Sequence, residues 1–188
     1  MMIKDILPLS RVRIDILTEL VAEDLMANEI AIKINRSLQS THNALSDMRE
    51  VLNKKQNIYS IKKEVRILLE KFLIRNLLEK RLGYKYYYIL PYIKKHLNPN
   101  EIIFFGSFYK GNATEDSDID IFIISEEDEE YVRKVSLKLS KTLKKEIQII
   151  SVKPQVHLTK FDKYSDLYNS ISKDSKMGIK IPLDILEG

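Results

Sequence analysis

The 188 residues suffice for one medium domain or two small ones, and 44% hydrophobic against 31% charged side chains is the balance of a chain that buries a core. No apolar run approaches the roughly 20 residues that span a bilayer and no basic-then-apolar leader opens the chain, so a cytoplasmic protein with no membrane partner is expected. With no cysteine and 3 histidines, disulfides and thiolate zinc sites are excluded, and a metal, if held, is a hard ion on oxygen.

Charge is divided unevenly along the chain. Over residues 1–100, 18 Lys and Arg stand against 11 Asp and Glu, a net +7; over 101–188, 13 stand against 16, a net −3. A basic half before an acidic half predicts a polyanion-binding module followed by one of another kind.

From Ser10, the positions Val12, Ile16, Leu17, Leu20 and Val21 share one helical face, with Asp15 and Glu19 expected on the opposite, solvated face. A second short helix over 28–34 carries Ile30, Ala31 and Ile34 and halts at Asn35, a residue that tolerates the left-handed conformation. Ser37 can cap a third helix. That helix keeps Thr41, Ala44, Leu45, Met48 and Leu52 on one side at three-and-four spacing and shows Gln39, Ser40, Asn43 and Ser46 on the other. Residues 53–57 read as a polar turn, and 58–61 alternate like a short strand. Three helices, a turn and a strand over 10–61 resemble the winged helix-turn-helix regulators of bacteria and archaea. The resemblance implies double-stranded DNA as a partner, read by Gln39, Ser40, Asn43 and Ser46, and a role in transcription regulation. Asp47 and Glu50, further along the same helix, would repel phosphates, so a plain solvated face is the competing reading.

A charged helix is expected over 62–82, with Val65, Leu68, Leu69, Phe72, Leu73, Leu77 and Leu78 inward and Gly83 ending it. Its long apolar stripe suggests a homodimer. Residues 84–97 predict another helix, with Tyr87, Leu90 and Ile93 as core contacts and Pro91 as a potential break. The domain boundary is placed at Gly83, giving a DNA-binding domain over 1–83 with a linking helix and a second domain over 84–188.

Ile102, Ile103, Phe104 and Phe105 form an apolar run, as for a strand buried on both faces. Gly106 and Ser107 end it, where a bare backbone can approach a ligand and amides and a hydroxyl can donate to phosphate oxygens. Downstream, Asp118 and Asp120 lead into Ile121, Phe122, Ile123 and Ile124. Two residues apart on a strand, their side chains share one face, with α-carbons about 6.5 to 7 Å apart. Like charges so placed require a cation or strong solvation, and magnesium prefers carboxylate and phosphate oxygens.

The spaced pairs Gly106-Ser107 and Asp118-x-Asp120, framed by apolar strands over about 102–152, resemble the signature of the nucleotidyltransferase superfamily in its minimal form. The resemblance implies a small mixed sheet with helices packed on it, hence an α+β fold overall. It also implies a nucleoside triphosphate substrate contacted by Gly106 and Ser107 and supported by Ser117, and catalytic Asp118 and Asp120 holding Mg2+. Lys110 stands where relatives often carry a basic residue. The third carboxylate expected on a following strand is replaced by Gln148, a neutral amide that cannot accept a proton, with Glu146 on the same face as a potential substitute.

Three functions remain open from sequence. The first is transfer of a nucleoside monophosphate to an unknown acceptor, and the second is a transcriptional regulator whose second domain only senses nucleotide. The third, since minimal nucleotidyltransferases are often paired with a helical toxin, is an antitoxin-like partner of such a protein. The acidic run 126–130 reads as a helix start. His42, His96 and His157 are scattered, and the tail offers only a helix over about 162–173.

Overall fold

The computed structural model describes residues 10–154, 164–173 and 177–185. Two compact units divide the chain, the first ending at Leu77 and the second opening at Leu78.

In the first unit, α1 (Arg11–Ala22), β1 (Leu25–Met26), α2 (Ala27–Lys33) and α3 (Leu38–Asp47) precede a hairpin of β2 (Leu52–Lys55) and β3 (Ile58–Ile61). Asn35 takes a φ of 52°, and Arg36 N–H closes the end of α2 onto the Ala31 carbonyl at 2.9 Å. Ser37 then caps α3, its Oγ accepting from Ser40 N–H at 3.2 Å. Thr41 and Leu45 of α3 and Met48 at its C-cap are buried as their spacing requires, whereas Leu52, expected on the same helix, is buried as the first residue of β2 because α3 ends at Asp47.

The solvated face expected for Glu19 is not found. Every residue of α1 from Ile16 onward is buried, and Glu19 is only 1% exposed. The physical reason is that α2, α3 and β3 all pack on α1, which leaves its second half no solvent face. The turn expected over 53–57 is also shorter than read. Asn53, Lys54 and Lys55 are extended in β2, and only Gln56 and Asn57, at φ of 49° and 71°, make the two-residue turn that suits a hairpin. Because residues 53–55 are exposed, no apolar alternation marks them as strand. β1 and β2 flank β3, both antiparallel to it.

Helix α4 (Lys63–Leu82) begins in the first unit and ends in the second, with Gly83 following at a φ of 59°. Val65, Leu69, Leu73, Leu77 and Leu78 are buried as expected, joined by Ile74. Leu68 and Phe72 are not inward: they are 57% and 41% exposed, beside the exposed Ile67. Adjacent helix positions diverge by about 100°, so a cover that seals Leu69 and Leu73 leaves their predecessors outside.

The second unit continues through a 3-10 turn (Gly83–Lys85) into α5 (Tyr86–Leu97), which runs through Pro91 without a break. Tyr86 is the buried tyrosine at its start, and Tyr87, expected in the core, is exposed, with its hydroxyl on Glu79 Oε1. A mixed sheet follows in the order β6-β5-β4-β7. Its strands are β4 (Glu101–Phe105), β5 (Ile119–Ile124), β6 (Ile147–Val152) and β7 (Gly178–Ile181). A short helix, α6 (Gly106–Lys110), joins β4 to the loop before the antiparallel β5. α7 (Glu129–Leu143) carries the chain from β5 to its parallel neighbour β6, capped by Asp128, which accepts from Tyr131 N–H at 2.8 Å. α8 (Ser165–Lys173) lies where a helix was expected, although the start of the expected span and His157 lie outside the described residues.

β7 had no sequence forewarning. It pairs antiparallel with β4, and Lys180 Nζ meets Glu101 Oε2 at 2.7 Å. On one face of the sheet Ile103, Phe122, Ile124 and Val152 pack with Ile171 of α8. Burying each such side chain contributes roughly 1.5 to 3 kcal/mol. This packing fixes the face on which Asp120 emerges, since positions 120, 122 and 124 of β5 share a side by strand alternation. The architecture is α+β, and no helix among the described residues is long and apolar enough to cross a membrane.

Candidate functional site

The centre of the site is the end of β4. Phe105 is the register partner of Asp120 on β5, and the chain turns immediately after it, at Gly106, with a φ of 76°. A Cβ built on Gly106 would stand 1.9 Å from Asp120 Oδ2 and 2.8 Å from its Cγ. The Asp120 carboxylate therefore rests directly on the Gly106 backbone. Glycine is required there twice, for the left-handed φ and for the space.

That placement costs the carboxylate solvent. Asp120 has its pKa raised to about 6, first by burial and second by the charge of Asp118. Asp118, expected on the strand together with Asp120, stands instead just before β5 begins, half-buried. Ser117 spends its hydroxyl locally, accepting from Thr114 N–H at 2.9 Å and meeting Thr114 Oγ1 at 3.2 Å, so it pins the turn that delivers Asp118. Ser107 is half-buried in α6, and its carbonyl accepts from Gly111 and Asn112 N–H at 3.0 and 3.1 Å; Lys110 is exposed.

Gln148 is the register partner of Asp120 on the parallel β6 and is exposed. Glu146 stands ahead of the first residue of β6, also exposed, with its carbonyl accepting from Ile119 N–H at 2.9 Å. A cleft of about 650 Å³ between α7 and β6 is lined by both, together with Lys144 and Lys145. Among the described residues no cluster of three or more His, Asp or Glu gathers where a metal could sit, so Asp118 and Asp120 are a two-carboxylate set. The Asp120 carboxylate, resting on a glycine and charged only at cost, could share with Asp118 a hard ion whose remaining ligands are phosphate oxygens and water.

Two cations that sequence reasoning missed brace this region. Arg81 Nε donates to the Tyr109 carbonyl at 3.1 Å, and the Lys145 amine donates to the Glu115 carbonyl. No local signal marks either, because each acts on residues about 30 positions away.

In the first unit, Gln39, Ser40, Asn43 and Ser46 all lie on the exposed side of α3. Gln39 Nε2 donates to Asn43 Oδ1 at 3.1 Å, and Arg49 donates to Ser46 Oγ at 2.7 Å. Asp47 is paired with Arg13 at 2.9 Å, which offsets its charge. A groove of about 630 Å³ between α3 and the β2–β3 hairpin is lined by Asn43, Ser46, Arg49, Asn53, Lys54 and Tyr59.

A strand, a glycine turn and the Asp120 carboxylate of the neighbouring antiparallel strand thus stand together, with Asp118 just ahead of that strand. Residues 88–163 match the family described as polymerase beta, nucleotidyltransferase, so the second unit contains a nucleotidyltransferase-like domain. No curated protein matches the chain. Among solved structures, one described as "Crystal structure of the toxin-antitoxin with AMP-PNP" is similar at 17% identity and a TM-score of 0.38, over 49% of this chain and 68% of that one.

Proposed function

We propose that the protein is a magnesium-dependent nucleotidyltransferase that moves a nucleoside monophosphate from a nucleoside triphosphate to an acceptor, with a DNA-binding winged helix as its first unit. The observation that carries the enzymatic half is the seating of Asp120 on Gly106, with Asp118 close enough to raise its pKa. Asp118 and Asp120 would hold the ion, which supplies charge neutralisation for the carboxylates and the phosphates together. Gly106 lets the triphosphate approach the backbone, and Ser107 and Ser117 frame it. Positioning and charge neutralisation are what phosphoryl transfer chiefly demands. The cleft lined by Glu146 and Gln148 offers an acceptor room at the β6 side of the sheet.

The test is a titration of magnesium with nucleoside triphosphates into the wild type and Asp120→Asn. The substitution keeps the shape and removes the charge, so magnesium-dependent affinity drops at least about tenfold, roughly 1.4 kcal/mol. Equal affinities in the two proteins make the paired aspartates structural and end this reading.

Gln148 favours a second reading, in which nucleotide is bound and sensed without turnover. It stands beside Asp120, where a third carboxylate would serve as base, and its amide cannot accept a proton. In both readings the first unit engages double-stranded DNA. The order of three helices and a hairpin supports this, as does the exposed polar face of α3 opening into a groove that holds Arg49 and Lys54. Gln39 and Asn43 are amides of the kind that pair with adenine, and binding falls steeply as salt rises. Absence of salt-dependent retention of genomic DNA fragments by the full chain would remove the DNA half of the proposal.

A further inference from the structure

We infer that Arg81 and Lys145 are positioning residues that hold the strap from Gly106 to Asp118 in register with Asp120. The inference rests on the reading of that strap as the phosphate side of a nucleotidyltransferase site.

The strap is poorly equipped to hold itself. α6 has five residues, too few for a helix to persist on its own, and the carbonyls of its last turn lack intrahelical partners. Backbone N–H groups satisfy two of them. Gly111 donates to Ser107 and Phe108 carbonyls at 3.0 and 3.2 Å, and Asn112 to the Ser107 carbonyl at 3.1 Å. The Tyr109 carbonyl is taken by Arg81 Nε from the last turn of α4.

A second, independent contact places the same guanidinium. A Cβ built on Gly111 would stand 2.8 Å from both Cζ and Nη1 of Arg81. Arg81 is therefore laid against the Gly111 backbone, at the left-handed residue that closes α6, with a φ of 77°. A planar group bonding through Nε while lying on a glycine is a geometry that an ammonium cannot copy.

Lys145 works on the other half of the strap. Its amine donates to the Glu115 carbonyl and lies 5.3 Å from the centre of the Phe108 ring, so one cation ties α6 to the loop that returns to Ser117 and Asp118. Arg81 contacts Tyr109 and Gly111, and Lys145 contacts Glu115 and Phe108. Each acts through the backbone it holds.

The experiment uses the full chain as wild type, Arg81→Met, Arg81→Lys, Lys145→Met and Lys145→Arg. Amide hydrogen exchange over 106–118 is measured without ligand, and affinity is measured for inorganic tripolyphosphate with magnesium, a probe that carries no base. Exchange in the strap is expected to accelerate at least about tenfold in both Met variants while the amides of β4, β5 and β6 keep their protection. Affinity for the probe is expected to fall about tenfold, roughly 1.4 kcal/mol. Lys145→Arg retains both properties and Arg81→Lys does not. Unchanged exchange in the strap, acceleration spread evenly over the sheet, or local acceleration with unchanged affinity each overturns the inference. If the wild type itself fails to bind magnesium tripolyphosphate while the strap loosens as described, the nucleotidyltransferase reading falls and the role of the two cations in ordering the strap stands.

Discussion

Replacing Gly106 by Ala tests the centre of the site most directly. The added Cβ meets Asp120 Oδ2 at 1.9 Å, Cγ at 2.8 Å and Cβ at 3.0 Å. Rotating the Asp120 side chain relieves the first two contacts but not the third, which is fixed by the β4–β5 register of Phe105 with Asp120. The φ of 76° adds left-handed strain of about 1 to 2 kcal/mol. Forcing overlap into a packed position typically costs a further 1 to 3 kcal/mol or so, for a total of roughly 2 to 5 kcal/mol. Urea unfolding of the single variant measures the sum. Combining it with Asp120→Ala separates the parts, because the double variant keeps the strain and the Cβ contact and loses the carboxylate clash. A coupling of at least about 1 kcal/mol between the two positions is expected from such direct contact. A loss below about 0.5 kcal/mol in Gly106→Ala, or strict additivity in the double variant, refutes the seating of Asp120 on Gly106.

Further outcomes follow from the same geometry. The folded form holds the Asp120 proton more tightly than the unfolded chain does, so the contribution of Asp120 to the stability of the metal-free protein is lost as pH rises from about 4 through about 6, read as the difference in urea unfolding between wild type and Asp120→Asn. Asp118→Asn lowers the Asp120 pKa only in part, because burial is the larger cause; a return to the ordinary carboxylate value in an NMR titration would contradict that order. Gln148→Asp places a proton acceptor beside Asp120 and raises any transfer rate followed with labelled triphosphate, unless Glu146 already serves. Ile67, Leu68 and Phe72 form an exposed apolar patch on α4, proposed as a homodimer contact. Phe72→Lys is expected to shift a micromolar dimer toward monomer by analytical ultracentrifugation, and a wild type that is already monomeric there removes the proposal.

Much of the site was legible because its signals are local. An apolar run, a Gly-Ser pair, and two aspartates at strand spacing before a second apolar run stand within 23 consecutive residues, and the backbone chemistry of each can be read from its own neighbours. Asn35 and Ser37 were legible for the same reason, since a left-handed residue and a cap act within one turn. Periodicity identified α1 and α4 as helices but misjudged their surroundings. It assigned Glu19 to solvent and Leu68 and Phe72 to the core, because it reports which residues share a face and not how much of that face is covered.

What the sequence by itself determined is therefore the chemistry and the local conformations: the paired carboxylates, the glycine turn, the helix caps and the apolar strands. The tertiary structure alone decided which distant groups meet. It recruited β7 from the tail onto β4, and brought Arg81 and Lys145 to carbonyls about 30 residues away. The physical reason is that a cap or a turn is selected by forces acting within a few residues. The partner of a surface cation is instead selected only when the sheet and its helices close around their core, a long-range event that leaves no mark on the neighbouring sequence.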